Sequence, residues 1–353
     1  MRKDIFKKSL PLILFVMLCI TPFIVNTQAE NWTWTKVANN ANLKSVDLVS
    51  STDGWAVGYD GTISHWDGTQ WNNIDSPTTA NLRAVDMIKP DEGWAIAGDI
   101  GGYGNNNSII KWDGTNWQNL SVPGSLEALH MISSTDGWAV GGGGTLHWNG
   151  ANWTRVETPA TGLLQSVDFV NPNDGWAVGG YLKYPSGINY LLHWNGTGWN
   201  AVESPKIGTV RTFWAVDMVS ASDGWAVGDS GTIIRWNGTG WNNVSSPIPV
   251  GKHLFSVDMV SSTEGWAVGS DGCIIHWDGT RWSNVTSPTG AWLMCIDMVS
   301  STNGWIVGAD GIYRYQMAVF PADYPVAVVA AIVAAIFIAA LVYLKRHRRN
   351  ENA

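Results

Sequence analysis

Cysteine and charged residues are scarce in this chain. Only three of the 353 residues are cysteine, and charged side chains make up 14% of the total. Two of the cysteines, Cys273 and Cys295, lie beyond residue 29, which excludes a disulfide-rich scaffold, and no spacing typical of a zinc site occurs. An extracellular location would permit a disulfide between them. Cys295 occupies a position that is Ser or Ala in six equivalent segments. We therefore favour the alternative that Cys295 is a small residue in a closely packed position.

Basic residues are also few. Residues 30–324 contain 13 Lys and Arg against 27 Asp and Glu. An acidic surface repels nucleic acid and anionic lipid head groups, and no basic stripe occurs, so we exclude nucleic-acid binding. A nucleophile motif, a phosphate-binding loop and a carboxylate pair distinguishable from the repeat are likewise missing. We therefore expect no catalytic residues, no cofactor and no enzymatic activity.

Long apolar runs are confined to the two ends of the chain. Basic residues and an apolar stretch (10–25) precede Thr27-Gln28-Ala29, which is the arrangement of a secretory signal peptide; an uncleaved anchor is the alternative. Residues 326–344 are apolar and uncharged, long enough to cross a bilayer, and basic residues follow directly. The predicted segments are a signal peptide (1–29), an extracellular domain (30–315), a linker (316–325), a transmembrane helix (326–344) and a cytoplasmic tail (345–353). We expect a single-pass protein of the cell membrane.

One short motif recurs seven times between those ends. Its form is Gly-Trp-[Ala/Ile]-[Val/Ile]-[Gly/Ala], and its glycines are Gly54, Gly93, Gly137, Gly175, Gly224, Gly265 and Gly304. The intervals are about 40 residues, and each unit holds four short strand-like segments separated by turns, which indicates a β-propeller. In the sixth unit these segments are 254–260, 266–268, 273–277 and 282–285. We call such segments strands A to D of a blade.

The seventh unit ends after its third strand, and a strand of the missing kind lies at the amino end of the repeats. Residues 31–37 have the Trp-x-x-Val character of strand D and precede strand A of blade 1. One strand from the start and three from the end would complete a blade and leave no open sheet edge. The predicted fold is all-β: a seven-bladed β-propeller closed by an amino-terminal strand (1+3 closure), with one carboxy-terminal transmembrane helix.

Tryptophan is abundant, with 23 residues in the chain. All except Trp214 and Trp292 fall at repeated positions of strands B, C and D or in the closing strand. Blades pack face to face, so both faces of each sheet need bulky cover, and the repeated tryptophans are predicted core. The repeat does not explain Trp214 and Trp292.

The repeat resembles a known group of propellers. The succession Gly-Trp-Ala-Val-Gly, Asp-Gly-Thr-Ile and Asp-Gly-x-x-Trp runs through all seven blades, for example over 224–241. It is similar to the propeller family of photosystem II assembly factors and to bacterial neuraminidase (Asp-box) repeats, although the turn lacks the leading Ser of an Asp box. The resemblance implies an assembly or binding propeller, or a sialidase. A sialidase would require an arginine cluster, and this domain has six arginines, two of them at a repeated position.

Two polar positions recur along the blades. The first, in strand A, holds Asp47, Asp86, His130, Asp168, Asp217, Asp258 and Asp297. Since innermost strands line the axis of a propeller, the six carboxylates are a weak candidate for a Ca²⁺ ring. The alternative, which the regular recurrence favours, is that each satisfies backbone N–H groups or a tryptophan indole N–H within its own blade interface. The second position precedes the aromatic residue that ends strand C and is basic in every blade. It is predicted to form a surface ion pair with the residue at the start of strand B, which is acidic in six blades.

The blades differ most at the position three residues before that Asp or His. It holds Lys44, Arg83, Glu127, Gln165, Trp214, Phe255 and Met294, and Trp292 lies two residues before Met294. Long B–C turns in blades 2 and 4 (99–108 and 180–189) belong to the same face. Functional residues concentrate on loops carried by a rigid scaffold, so we predict a binding site there. Its candidate residues are Trp214, Phe255, Trp292, Met294, Lys44, Arg83, Tyr181 and Tyr184. The alternative is that D–A loops cover this sector.

Eight Asn-x-Ser/Thr sequences are candidate glycosylation sites, although several also form hairpin turns of the repeat. They begin at Asn31, Asn106, Asn119, Asn152, Asn195, Asn237, Asn243 and Asn284.

These patterns predict a membrane-anchored, extracellular, non-enzymatic propeller that binds or assembles proteins. Strand C of blade 7 runs away from the candidate face toward the linker, so that face is predicted to be distal to the membrane. The partner would be an extracellular protein or a glycan. Two alternatives stay open, a carbohydrate-binding or glycan-hydrolysing (sialidase-like) propeller and a structural cell-surface component.

Overall fold

The computed structural model describes residues 32–98, 107–122, 124–142, 144–181, 188–207 and 212–317. These residues contain 28 β-strands, which form seven sheets of four strands each. In six of the sheets the four strands follow one another along the chain. Each strand pairs antiparallel with the next, because the connection between them reverses the direction of the chain. The predicted all-β fold with seven blades is confirmed.

The strands of the first three blades follow β1 (Trp32–Ala38). Blade 1 consists of β2 (Leu43–Ser50), β3 (Asp53–Gly58), β4 (Ile63–Trp66) and β5 (Trp71–Ile74). Blade 2 consists of β6 (Leu82–Lys89), β7 (Glu92–Ala97), β8 (Ser108–Trp112) and β9 (Trp117–Ser121). Blade 3 consists of β10 (Ala128–Ser133), β11 (Asp136–Gly141), β12 (Gly144–Trp148) and β13 (Trp153–Val156).

The next three blades have the same order of strands. Blade 4 consists of β14 (Leu163–Asn171), β15 (Asp174–Tyr181), β16 (Ile188–Trp194) and β17 (Trp199–Ala201). Blade 5 consists of β18 (Phe213–Ser220), β19 (Asp223–Gly228), β20 (Ile233–Trp236) and β21 (Trp241–Val244). Blade 6 consists of β22 (Leu254–Ser261), β23 (Glu264–Gly269), β24 (Ile274–Trp277) and β25 (Trp282–Asn284).

The seventh sheet combines strands from both ends of the described chain. It contains β26 (Leu293–Ser300), β27 (Asn303–Gly308) and β28 (Ile312–Met317), together with β1. The order across this sheet is β1-β28-β27-β26. The strand at 32–38 therefore lies beside the third strand of blade 7, where a fourth strand lies in every other blade.

The Gly-Trp pair follows the first residue of each second strand, at a point where the first strand packs closely. Gly224 is paired with Met218 of β18, and a Cβ atom built on Gly224 would overlap the Met218 sulfur. The equivalent glycine meets a Leu, Met or Phe side chain in every other blade. The glycine of the motif is therefore a packing requirement rather than part of a ligand site.

Tryptophans of neighbouring blades form one repeated cluster at each interface. The Trp225 ring lies 4.7 Å from the ring of Trp277 and 5.3 Å from that of Trp282, to which it is almost perpendicular. Such edge-to-face pairs are favourable for aromatic rings. The strand B tryptophans of all seven blades are at most 2% exposed. The prediction that they form the core is confirmed.

The predicted signal peptide, transmembrane span and cytoplasmic tail lie outside the described residues, as does most of the linker. Tyr184, Asn31 and Asn106 also lie outside them, and the side chain of Tyr181 is not described. Within the ranges given above, no helix is both long and apolar enough to cross a bilayer. The membrane topology stays a prediction.

Candidate functional site

Six strand A aspartates each link their blade to the next, at every interface except that between blades 3 and 4. One carboxylate oxygen of each accepts a hydrogen bond from a backbone N–H of the following strand A, at 2.5 to 2.7 Å. The pairs are Asp47–Met87, Asp86–Met131, Asp168–Met218, Asp217–Met259, Asp258–Met298 and Asp297–Leu48. Among the residues that the structure describes, no group of His, Cys, Asp and Glu side chains is placed to hold a metal ion. The bonds support the interpretation of these aspartates as interface residues.

The small position two residues before each strand A aspartate joins the same interfaces. The hydroxyl of Ser45 accepts a hydrogen bond from the Val85 N–H at 3.2 Å, and Ser256 accepts one from Ile296 N–H at the same distance. Cys295 occupies this position in blade 7, and both Cys295 and Cys273 are free thiols. The preference for a small residue thus follows from the closeness of neighbouring inner strands.

Burial raises the pKa values of several axial carboxylates. It raises the pKa of Asp217 to about 8, together with the negative charge of Asp168. It raises the pKa of Asp297 to about 7. The pKa values of Asp47 and Asp258 are well above the usual range, first because of burial and then because of the charge of Asp297. The negative charge of Asp297 raises the pKa values of Asp47, Asp217 and Asp258, which belong to blades 1, 5 and 6. These carboxylates therefore lie near one another around the axis.

Blade 3 places His130 where the other blades have an aspartate. Its Nδ1 atom lies 3.1 Å from a carboxylate oxygen of Asp168. Burial opposes its charged form, but the hydrogen bond to Asp168 and the charges of Asp168, Asp86 and Asp217 outweigh burial and raise the pKa of His130 to about 9. His130 is therefore a cation at neutral pH, and it reduces the repulsion within the acidic ring.

The basic residue of strand C stacks on the strand B tryptophan and pairs with an acid in blades 1 to 6. The pairs are His65–Asp53, Lys111–Glu92, His147–Asp136, His193–Asp174, Arg235–Asp223 and His276–Glu264, at 2.7 to 3.2 Å. The Arg235 guanidinium lies 4.9 Å from the centre of the Trp225 ring. These predicted pairs are confirmed, and their partial burial between blades makes them part of the interface rather than free surface pairs.

Blade 7 differs because Asn303 stands where the other blades have an acid. Arg314 lies 5.0 Å from the centre of the Trp305 ring. The Nε atom of Arg314 and the Oδ1 atom of Asn303 are both buried without a hydrogen-bond partner in the described part of the chain. Asn303 cannot form an ion pair, so the repeated stabilising pair is missing from this blade.

Replacing Asn303 with Asp is expected to raise the melting temperature, because it would give Arg314 the partner present in the other blades. An ion pair of this kind contributes about 0.5–1 kcal/mol, which corresponds to roughly 1–3 °C in a domain of this size. Calorimetry of the full chain measures the change. Asn303→Ser is the control, since it adds no charge; an equal rise in both variants would refute the ion-pair explanation.

Three aromatic side chains form a continuous row on the face of the B–C and D–A connections. The rings of Trp214 and Phe255 are 5.9 Å apart and almost perpendicular, and the rings of Phe255 and Trp292 are 5.5 Å apart. Trp214 and Phe255 are half-buried, whereas Trp292 is 52% exposed. We call Trp214, Phe255 and Trp292 the aromatic row. The structure thus brings together three residues that the sequence places in different blades.

Two polar residues that sequence reasoning missed hold one end of the row. Asp229 accepts a hydrogen bond from the Trp214 indole N–H at 2.8 Å and lies 3.0 Å from Nδ1 of His253. The His253 ring is almost parallel to that of Phe255, with centroids 6.2 Å apart. Asp229 lies in a B–C turn and His253 in a D–A loop. In the sequence, these two residues could be recognised only as members of a B–C and a D–A connection, the two kinds of connection that form the candidate face.

An open cleft of about 360 Å³ lies at the other end of the row, between blades 7 and 1. Its lining residues are Asn42, Leu43, Lys44, Tyr59, Asp60, Trp292, Met294 and Ala309. Three predicted site residues, Lys44, Trp292 and Met294, therefore meet in one cleft. The Lys44 ammonium lies 5.0 Å from the centre of the Tyr59 ring, which holds a cation over an aromatic face.

Arg83 does not line this cleft. Arg83 forms an ion pair with Glu127 of the next blade and donates a hydrogen bond to the Gly98 carbonyl at 3.3 Å. Tyr181 ends strand β15, where its backbone pairs with Ile188. Arg83 is thus paired across the interface of blades 2 and 3, whereas Trp214, Phe255 and Trp292 lie together in the aromatic row.

The turn acids that resemble an Asp box are occupied within their own turns. Asp278 accepts hydrogen bonds from the hydroxyl and N–H of Thr280 and from the N–H of Arg281. These bonds, with the Thr280 hydroxyl first, lower the pKa of Asp278 to about 2. Asp278 thus caps its turn and stays ionised. An ionised carboxylate cannot donate the proton that glycoside hydrolysis requires.

Six candidate glycosylation sites are exposed on strand D or on the turn before it: Asn119, Asn152, Asn195, Asn237, Asn243 and Asn284. None of these six belongs to the aromatic row or to the cleft. Any glycans there would project from the outer edge of the blades and leave the candidate face uncovered.

Several solved structures share the fold. YCF48 bound to D1 peptide has a TM-score of 0.64 and 16% identity, covering 84% of this chain and 100% of that one. YCF48 from Cyanidioschyzon merolae has a TM-score of 0.64 and 18% identity, with coverages of 81% and 98%. The WD40 repeats of RRP9 have a TM-score of 0.64 and 8% identity, with coverages of 81% and 100%. Identities this low show the β-propeller fold alone.

The repeat was predicted to resemble two groups of known propellers. The two YCF48 structures support that resemblance as far as the β-propeller fold. The likeness to neuraminidase repeats stays a prediction. No protein-family model and no curated protein sequence matches the chain.

Proposed function

We propose that the chain is a non-enzymatic propeller that binds a protein through the face carrying the aromatic row. The observation that carries the proposal is that Trp214, Phe255 and Trp292 form a contiguous, partly exposed row that the repeat does not require. Aromatic residues commonly supply the anchors of protein interfaces. A similar propeller has been solved with a bound peptide, which supports the use of this fold for protein binding.

The proposal includes the predicted location outside the cell, with a carboxy-terminal membrane anchor and 1+3 closure. Strand β28 starts at its B–C turn, on the face of the aromatic row, and therefore ends on the opposite face. A membrane span that follows β28 would leave the row directed away from the bilayer. The position of β1 beside β28 supports the closure.

The absence of enzymatic activity is also part of the proposal. The repeated acids already have structural partners: strand A acids bond to backbone N–H groups, strand B acids pair with basic residues, and turn acids cap their turns. A purely structural role is the weaker alternative, because it leaves the exposure of Trp292 without a purpose.

The double variant Trp214→Ala/Phe255→Ala tests the binding face. Loss of two anchors is expected to weaken partner binding by at least about 30-fold, which is the effect of removing one strong interface residue. Proximity labelling with the full chain in native membranes identifies the partner, and titration of the purified partner measures the affinity.

Val299→Ala is the matched control, because Val299 is an apolar residue that is 39% exposed and lies near the end of β26, on the face opposite the row. It is expected to bind normally. Full binding by the double variant, with its melting temperature unchanged, would place the partner elsewhere on the molecule.

A further inference from the structure

A second groove lies at the outer edge of the propeller, between blades 1 and 2. It has a volume of about 300 Å³ and is lined by Asn73, Ile74, Asp75, Trp112, Thr115, Asn116 and Trp117. Ligand pockets span roughly 300–1,000 Å³, so this groove suits a small ligand. It shares no residue with the aromatic row or with the cleft between blades 7 and 1, so its role is independent of protein binding through that face.

The inner part of the groove is apolar. Trp112 is half-buried and Trp117 is 5% exposed, and their ring centres lie 5.8 Å apart. Trp112 also packs against Trp55 at 4.8 Å, which fixes its orientation. Together with Ile74, these rings give the groove a rigid aromatic floor.

The rim of the groove is exposed and polar, and its hydrogen-bonding groups are only partly used. The Oδ1 atom of Asn73 accepts a hydrogen bond from Asn40, which leaves the amide N–H₂ of Asn73 as a donor. Asn116 donates to the Thr115 hydroxyl, which leaves its Oδ1 as an acceptor. The carboxylate of Asp75 is exposed, and in the described part of the chain nothing donates a hydrogen bond to it. The rim therefore offers one donor and two acceptors above the aromatic floor.

The repeat does not account for this combination. The strand D residue equivalent to Asp75 is Ser121, Glu157, Glu203, Ser245 or Thr286 in blades 2 to 6. The turn residue equivalent to Asn116 is Asn152, Gly198, Gly240 or Arg281 in blades 3 to 6. Only blades 1 and 2 combine an amide and a carboxylate at the positions of Asn73 and Asp75 in one blade with an amide at the position of Asn116 in the next blade.

We propose that this groove binds one sugar ring of a carbohydrate. A pyranose has an apolar C–H face, which suits the half-buried Trp112 ring, and hydroxyl groups that both donate and accept hydrogen bonds. A carboxylate and two amides satisfy such hydroxyls, and a hydrogen bond to a charged acceptor such as Asp75 is stronger than one to a neutral acceptor. This is a binding activity beyond the proposed protein-binding function.

Saturation-transfer NMR tests the groove with four probes, the methyl glycosides of glucose, galactose, mannose and N-acetylglucosamine. The full chain is held in a zwitterionic detergent that contains no sugar. At least one glycoside is expected to bind with a dissociation constant of about 1 mM, an affinity near −4 kcal/mol. Soluble polysaccharides and a glycoprotein with N-linked glycans are then added as competitors, to separate the two natural sources of such a ring.

Two variants use residues that the repeat already accepts. Asp75→Ser introduces the residue of blades 2 and 5, and Asn116→Arg introduces the residue of the blade 6 turn, so both are expected to fold with unchanged melting temperature. Each is expected to weaken glycoside binding by at least about tenfold, or roughly 1.4 kcal/mol. Trp292→Ala is expected to leave glycoside binding intact while weakening capture of the protein partner.

The proposal fails if none of the four glycosides binds, or if Asp75→Ser and Asn116→Arg bind them as the unchanged chain does. Loss of glycoside binding in Trp292→Ala alone would place the sugar in the cleft between blades 7 and 1, which also overturns it. Capture of the protein partner by Asp75→Ser is a separate measurement, so either proposal can fail without the other.

Discussion

The protein is expected to unfold at a lower temperature at about pH 8.5 than at about pH 5, because of the axial carboxylates. An aspartate of the unfolded chain has a pKa near 3.8, whereas burial raises the pKa of Asp217 to about 8 and that of Asp297 to about 7. Between these values the folded chain retains protons that the unfolded chain has released. The free energy of unfolding therefore falls as the pH rises from about 4 to about 8.

His130 changes stability in the same direction. Its pKa rises from 6.5 to about 9 in the folded chain, because its ion pair with Asp168 outweighs burial. The stability that its charge provides is complete below pH 6.5 and is lost as the pH rises through about 9. Several groups titrate together over this range, so we expect a loss of several kcal/mol, or on the order of 5–10 °C in melting temperature.

At low pH, stability is expected to change with pH in the opposite direction. Hydrogen bonds from the residues of its turn, chiefly Asn116 and Thr115, lower the pKa of Asp113 to about 2, and the same type of turn does so for Asp278. The stability from these caps is present above the unfolded pKa and is lost as the pH falls through about 2. Stability is therefore expected to be greatest in mildly acidic solution, at about pH 4–5.

Asp217→Asn isolates the axial contribution. The amide oxygen of Asn can still accept the hydrogen bond from Met259 N–H, but the side chain no longer titrates. The variant is expected to gain stability at about pH 8.5 and to show a flatter dependence on pH than the unchanged chain. A melting temperature that is independent of pH in the unchanged chain would show that burial and mutual repulsion do not raise the pKa values of these carboxylates.

The fold could be predicted from the sequence because each blade repeats the same packing contact. The glycine before each strand B tryptophan meets the apolar residue of strand A, and this local contact recurs at a period of about 40 residues. The hydrogen bonds between blades were less accessible. Asp217 bonds to Met259 rather than to a residue of its own blade, and this relation depends on how neighbouring inner strands are staggered.

The candidate site was partly accessible for the same reason. Trp214, Phe255 and Met294 share one repeated position, so comparison of the blades was enough to find them. Asp229 and His253 lie in connections whose paths the repeat does not determine, and their contacts with the row required coordinates. The pair of Arg83 and Glu127 was visible in principle, since the two residues occupy the same position in adjacent blades, but charge alone did not show that they neutralise each other.

Two tryptophans of blade 5 are expected to respond in opposite ways to replacement by alanine. Trp225 is fully buried and contacts the rings of Trp277 and Trp282 in the next blade. Trp225→Ala removes this interface contact and leaves a cavity, so the expected loss is about 3–5 kcal/mol, or roughly 10 °C in melting temperature. Trp214 is half-buried on the binding face, and its hydrogen bond to Asp229 contributes about 1 kcal/mol.

The pair separates the scaffold from the site, because both changes remove the same side chain from the same blade. Trp225→Ala is expected to unfold early yet to bind its partner normally at low temperature, where it stays folded. Trp214→Ala is expected to keep a melting temperature within about 3 °C of the unchanged chain and to lose partner binding. Calorimetry and titration on both variants decide the matter. If Trp214→Ala were the less stable variant, the aromatic row would belong to the core, and its exposure would no longer argue for a binding face.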